Sequence, residues 1–335
     1  MTDIFAFALG TTRSDATGAP LDCFFPAPLM RPSAEVAAAI TAHFKPGVTS
    51  VSCETAQAYD AATGGTANGA TRALIEADSA LIAVVLLVDS AITSTQEAYL
   101  KLHLLSHRLA LPNTLNLEDI FAHLPNVAWT SEGPRHIREI AAAQLAARQA
   151  GRNLEVFSVD KFPKMTNYVI PSGVRIADAS RIRLGAFLGD GTTVMHEGLI
   201  NFNAGALGPN MVEGRISQGV IIGAHTDLGG SSSTMGTLSG GGSIILSIGE
   251  HCLIGANAGT GIPLGDRCTI EAGLYITAGT PVSQLDEFGR VTWLKARELA
   301  GADDLLFIRN GRTGQIECRP NRKAIELNTQ LHKHN

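Results

Sequence analysis

The sequence predicts an α/β region over residues 1–168, a parallel β-helix over 169–285 and a small basic region over 286–335. Three observations carry this reading. Of 35 glycines, 23 fall between Gly173 and Gly279. Across that span aliphatic residues recur every six positions. Beyond it, residues 290–335 hold nine Lys and Arg against five Asp and Glu, although the chain as a whole carries a net charge of −5. Charged residues make up only 17%, too few for a disordered or coiled-coil chain. The negative net charge excludes a general binder of nucleic acid or anionic membrane.

In the first region, Ser33 reads as the N-cap of a helix over AEVAAAITAHF. The run Leu81 to Val88 reads as a buried strand, too short to cross a bilayer. Ser94 and Glu97 have capping-box spacing before a helix in which Leu102, Leu105 and Leu109 recur, ending at Pro112. Pro134 is expected to open the next helix and Gly151 to close it. His103, His107 and His136 lie on these helices without metal partners and read as packing residues.

The middle region repeats with period six. Ile176, Ile182, Leu188, Val194, Ile200 and Ala206 form one run. Later runs start at Ile216, Ile248 and Leu264. A helix has no use for this period, because its faces recur near 3.6 residues. The pattern fits a coil of triangular section, one six-residue unit per side and about eighteen residues per rung. Each aliphatic residue then points inward and stacks on its counterpart in the next rung. Glycine or another small residue turns the corners. The phase breaks near 206–216, 234–248 and 260–264 are expected to be loops ejected from the coil; the longest contains Gly240-Gly241-Gly242.

The five cysteines are odd in number and show no C-x-x-C spacing, which favours a reducing compartment, the cytoplasm, over a disulfide or zinc framework. The N-terminus lacks the basic start of a secretory signal.

Candidate chemistry is densest between His196 and Gly242. Glu213 sits where the hexapeptide phase breaks, so its carboxylate falls at an edge of the coil, placed to take a proton or attack an acyl carbon. Arg215 suits an anionic group. The glycine runs suit an oxyanion or an extended pantetheine chain. The basic end suits a ligand bearing a 3′-phosphate and a pyrophosphate.

The segments MHEGLINFNAGALG, MVEGRIS, GTLSGGG and SIGEHCLIGANAGTGIPLGDRCTIEAGLYITAGT, with VDKFP before them and KARELAG and LLFIRN after, closely resemble the tetrahydrodipicolinate N-succinyltransferases, in the longer form of actinobacteria and pseudomonads. The resemblance covers about half the chain. It implies a left-handed β-helix, a homotrimer with sites between subunits, succinyl-CoA as donor and opened tetrahydrodipicolinate as acceptor, on the diaminopimelate route to lysine. It implies that Glu213 is the catalytic carboxylate, either as base or as acyl-anhydride nucleophile, and that Gly236 donates its backbone N–H to the oxyanion. Arg215, Gly230 and Ser233 then contact ligand. Ala256, Glu271, Ala272 and Gly279 line the CoA channel, and Lys295, Arg309 and Asn310 contact CoA. Two departures stand out. Ile308 occupies a position that is often a second arginine. Some members bind magnesium on the trimer axis through Glu197 and an acid where this chain has Ser180.

The alternatives are another hexapeptide acyltransferase with an acetyl donor and a histidine base (His196, His225 or His251), a γ-type carbonic anhydrase, and a non-catalytic solenoid. The carbonic anhydrase needs three convergent histidines, and no H-x4-H pair exists here.

Overall fold

A computed structural model describes residues 3–64, 68–77, 80–237, 244–286 and 288–321. The chain divides into two compact units. One comprises residues 1–110, 114–163 and 167–169, and the other 111–113, 164–166 and 170–335.

The first unit is built on an antiparallel sheet. Strand Ala6–Ser14 pairs with Pro20–Phe24 and Leu29–Met30, and also with Leu81–Leu86, which in turn pairs with Gly47–Val51. Every residue of Leu81–Leu86 is buried, as its unbroken apolar run requires. Helix Ala34–His43 starts where expected, with Ser33 Oγ accepting the Val36 N–H at 3.4 Å. Ile40 and Phe44 pack against Phe7 and Tyr59 in the core.

Two expectations need correction. Helix Thr95–Ser106 ends well before Pro112, because His107 closes it and Arg108 adopts φ 62°; Leu109 lies outside it and is exposed. Its capping box is half formed. Ser94 Oγ accepts the Glu97 N–H, but the Glu97 carboxylate accepts from Thr93 instead of Ser94. Pro134 does not open a helix. It lies in strand Gly133–His136, an edge strand where its missing N–H costs no ladder bond. The helix begins later, as Ile140–Gln149 after a short 3₁₀ turn, and Gly151 ends it with φ 68°.

The second unit is the coil. Three parallel sheets carry three inward stacks. Ile176, Val194, Val212, Leu228, Ile254, Ile270 and Phe307 form the first. Ile182, Ile200, Ile216, Thr234, Thr260 and Ile276 follow in rung order along the second side. Leu188, Ala206, Ile222, Ile248 and Leu264 form the third. Apart from half-buried Ile176, all of these are buried.

Of the three phase breaks, one is an ejected loop. Thr237 and Ile245 bridge its antiparallel base, and Gly240-Gly241-Gly242 lies outside the described residues. The other two are deletions. Only four residues separate Val212 from Ile216, and Thr260 from Leu264, where six are usual. Two residues are lost at a corner and the stack continues unbroken. Beyond Ile276 the chain stays with the coil. Strand Leu305–Arg309 pairs in parallel with Thr269–Ile270 and in antiparallel with Ile316–Pro320. Among the described residues no helix is long and apolar enough to cross a membrane.

Candidate acyl-transfer site

The shortened corner between Val212 and Ile216 places Glu213. Its N–H donates to Leu228 O at 2.8 Å and its carbonyl accepts from Ser231 N at 3.3 Å, so the following rung holds its backbone at both groups. Gly214 is obligatory here. A Cβ on it would stand 2.1 Å from Ser232 Oγ and 2.6 Å from Ser232 O. The half-buried Glu213 carboxylate has no ion pair or side-chain hydrogen bond among the described residues, which leaves it available to a ligand.

The rungs put the expected residues in register. Because Val212, Leu228, Ile254 and Ile270 stack, Gly230, Ala256 and Ala272 follow one another along one edge, beside Glu213 and Glu271. Adding a Cβ to Gly229 or Gly255 would drive it into the backbone N of Ala256 (2.7 Å) or Ala272 (2.5 Å), so the edge is held narrow and lined by main chain. At its end the Glu271 carboxylate accepts the Arg309 N–H at 2.7 Å. With rungs about 4.8 Å apart, the row from Glu213 to Arg309 spans roughly 19 Å, room for an extended arm. Arg215 and Ser233 flank it, joined by Arg215 Nη2 donating to Ser233 Oγ at 2.7 Å.

Glu197 belongs to the same corner. Its Oε2 and that of Glu213 stand 3.5 Å and 3.4 Å from the point a Cβ on Gly230 would occupy. Ser231, at φ 58°, donates its hydroxyl to Glu197 Oε2 at 3.0 Å. Neither Ser231 nor the pairing of Glu197 with Glu213 was foreseen, although the two glutamates stand one shortened rung apart in the sequence. Ser180 donates its hydroxyl to Asp178 Oδ1 at 2.6 Å. Of the two positions expected at the axial metal, this chain supplies the Glu197 carboxylate, which accepts from the Ser231 hydroxyl, and has a serine, not an acid, at 180.

Three expected residues lie elsewhere. Gly236 and Gly279 follow the far end of the side made by Ser233–Thr234 and Tyr275–Ile276. Lys295 pairs with Pro281 next to Gly279. Within one chain this second edge does not meet Glu213. The Asn310 side chain is occupied in the turn before Ile316–Pro320, accepting from Arg312 and Thr313 and donating to Glu317 Oε1 at 2.6 Å. Of the basic segment, Arg290 pairs with Asp286 and Arg319 with Glu317, while Arg322, Lys323 and Lys333 lie outside the described residues. His225 and His251 stack at 4.9 Å on a different corner, ahead of Asp227 and Leu253.

A parallel coil with a carboxylate at a shortened corner and a main-chain-lined edge defines a hexapeptide-repeat acyltransferase. Residues 245–278 match the hexapeptide repeat of succinyl-transferase, and residues 124–164 the middle region of tetrahydrodipicolinate N-succinyltransferase. Proteins named 2,3,4,5-tetrahydropyridine-2,6-dicarboxylate N-succinyltransferase are 54% identical over 340 residues in Pseudomonas putida and 55% over 342 in Pseudomonas aeruginosa, and each alignment covers 99% of both chains. The crystal structure of a putative 2,3,4,5-tetrahydropyridine-2-carboxylate N-succinyltransferase from Campylobacter jejuni superposes with a TM-score of 0.86 at 29% identity, covering 97% of this chain and 94% of that one. The chain belongs to the tetrahydropyridine-dicarboxylate N-succinyltransferase family.

Proposed function

We infer that this chain transfers the succinyl group of succinyl-CoA to the amino group of opened tetrahydropyridine-2,6-dicarboxylate, on the diaminopimelate route to lysine. The observation that carries the assignment of the site is the edge running in register from Glu213 to Arg309. The thioester end of the donor lies at Glu213 and the pantetheine arm follows Gly230, Ala256 and Ala272. The phosphates reach Arg309 and, from another copy, Lys295. Main-chain groups exposed by glycine and alanine suit the amides of that arm.

In the reaction the acceptor nitrogen attacks the thioester carbon. Glu213 takes the proton that nitrogen must lose; a C–N bond forms, the C–S bond breaks, and the thiolate recovers the proton from Glu213. Arg215 holds a carboxylate of the succinyl group or the acceptor. The Gly236 N–H serves the oxyanion from the second edge. The two edges lie apart on one chain, so one site takes an edge from each of two copies, and a homotrimer of left-handed coils supplies three such sites. The five thiols are all unpaired, which accords with a cytoplasmic enzyme.

The domain reading follows the same division: residues 1–168 as an α/β domain, 169–285 as the acyltransferase coil, and 286–335 as the segment that contacts CoA. A thiol-release assay with tetrahydrodipicolinate tests the function. Release is expected with succinyl-CoA and at least tenfold less with acetyl-CoA, the scale on which an unfilled charge contact discriminates. Equal rates with the two donors would overturn the donor assignment.

A further inference from the structure

We propose that Tyr275 is a specificity residue for the acyl donor, its hydroxyl donating a hydrogen bond to the carbonyl of the first amide in the pantetheine arm. The proposal rests on the succinyltransferase reading and deepens it by adding a residue beside the same edge.

The geometry is set by a missing side chain. On the side of the coil that follows the edge, Arg215, Ser233, Gly259 and Tyr275 stand opposite one another on successive rungs. They alternate with the inward stack and so face outward. Gly259 leaves a gap in this column, and the Tyr275 ring lies in it. A Cβ on Gly259 would stand 2.3 Å from Cε2, 2.6 Å from Cδ2 and 2.7 Å from Cζ of that ring, its three nearest atoms. The ring therefore runs back along the coil and carries its hydroxyl about one rung, roughly 4.8 Å, from its own strand towards Ser233. Tyr275 is 40% exposed, and its hydroxyl has no hydrogen-bond partner among the described residues. Covering a glycine in a strand takes only an aromatic ring, which phenylalanine would supply. The hydroxyl has no use inside the chain.

The donor supplies the use. An arm that follows Gly230, Ala256 and Ala272 runs beside this column, because Ala272 and Tyr275 are only three residues apart, across one corner. They belong to the same rung, so a hydroxyl carried one rung back stands level with Ala256, the rung after Gly230. The thioester lies at Glu213, whose carboxylate oxygen is 3.4 Å from the point a Cβ on Gly230 would occupy. The first amide of a pantetheine arm is two methylenes beyond the sulfur, which brings it to the level of Ala256. A phenol is a neutral donor on a rigid ring. It pairs with an amide carbonyl and offers nothing to a bare methylene chain, so it selects the donor by its arm and leaves the acceptor untouched.

The test is steady-state kinetics of the full-length enzyme and Tyr275→Phe with two small thioesters of succinate, one on N-acetylcysteamine and one on pentanethiol. The two thiols have chains of equal length, and only the first carries the amide. The wild type is expected to prefer the N-acetylcysteamine thioester in kcat/KM. Tyr275→Phe should lower that preference about three- to tenfold, the worth of one neutral hydrogen bond, while the acceptor KM stays within about twofold. A wild type that does not distinguish the two thioesters, or an unchanged preference in Tyr275→Phe, overturns the proposal.

Gly259→Ala is the second variant. Its methyl group displaces the Tyr275 ring, so the hydroxyl is kept but moved. It should lower the same preference, and a preference kept at the wild-type level overturns the proposal. Failure of Tyr275 alone leaves the loss of turnover in Glu213→Gln intact. A wild-type enzyme that releases no thiol from succinyl-CoA removes the underlying reading as well.

Discussion

At the residue scale, Glu213 stands out because it occupies a corner shortened by two residues, where the backbone cannot follow the regular coil. The proposed role of Glu213 as base predicts that Glu213→Gln keeps the fold and loses about 10²–10⁴-fold in turnover, measured beside an unchanged melting temperature. Retention of turnover within about threefold, on the same scale, would reject the assignment. Gly230 makes a sharper prediction. A Cβ there meets only the two carboxylate oxygens, at ordinary contact distance, so Gly230→Ala should melt like the wild type. It should nevertheless lose most of its turnover, because the methyl group fills the space over which the carboxylates converge. An active, stable Gly230→Ala enzyme would place the donor's arm elsewhere.

At the element scale, each side of the coil depends on what its inward residue can satisfy. Thr234, like Thr260 a buried hydroxyl residue in a mostly aliphatic stack, joins two rungs by accepting from Ser217 N and donating to Arg215 O, both at 3.1 Å. Thr234→Val keeps the shape and leaves both groups unpaired. Urea unfolding should show a loss of about 1–3 kcal/mol, and a loss near zero would mean water replaces the hydroxyl.

In the other unit, helix Thr95–Ser106 buries His103 completely. The Nδ1–H donates to Tyr99 O and Nε2 accepts from Phe25 N–H. Burial pushes its pKa down to about 3, so it stays neutral in the fold while the unfolded chain protonates it near 6.5. The stability this contributes is complete above pH 6.5 and is lost as the pH falls towards 3, at about 1.4 kcal/mol per pH unit. His103→Gln should flatten the acid limb of the stability curve relative to the wild type, and identical acid limbs would contradict a neutral, buried His103.

For the whole molecule, the two edges carry the argument. If each site takes Glu213 from one copy and Gly279 from another, two inactive variants should complement. Gly279→Trp adds bulk where an added Cβ meets nothing within 4 Å, so it should fold and block the second edge. Refolded together in equal amounts, Glu213→Gln and Gly279→Trp chains in a closed trimer should regain about a quarter of the wild-type sites. No recovery from chains shown to have mixed would mean that each site belongs to one chain.

The period-six aliphatics, the glycine density and the odd corner at Glu213 were all legible in the amino-acid sequence, because a coil repeats its environment along the chain and so writes its geometry into local spacing. The resemblance named Gly230, Ala256, Ala272 and Arg309, and the strand pairing shows that they stand one rung apart. Spacing alone could not separate a deletion from an ejected loop. Both shift the phase, and only the pairing of Ile200 with Ile216 and of Ile248 with Leu264 shows that two corners are shortened. Nor could spacing show that Pro134 sits in an edge strand, since that depends on which strands it meets across the sheet. The convergence of Glu197 and Glu213 over Gly230 was decided by tertiary structure, because side chains from different rungs meet only when the register of the stack is set, and that register comes from packing the whole coil.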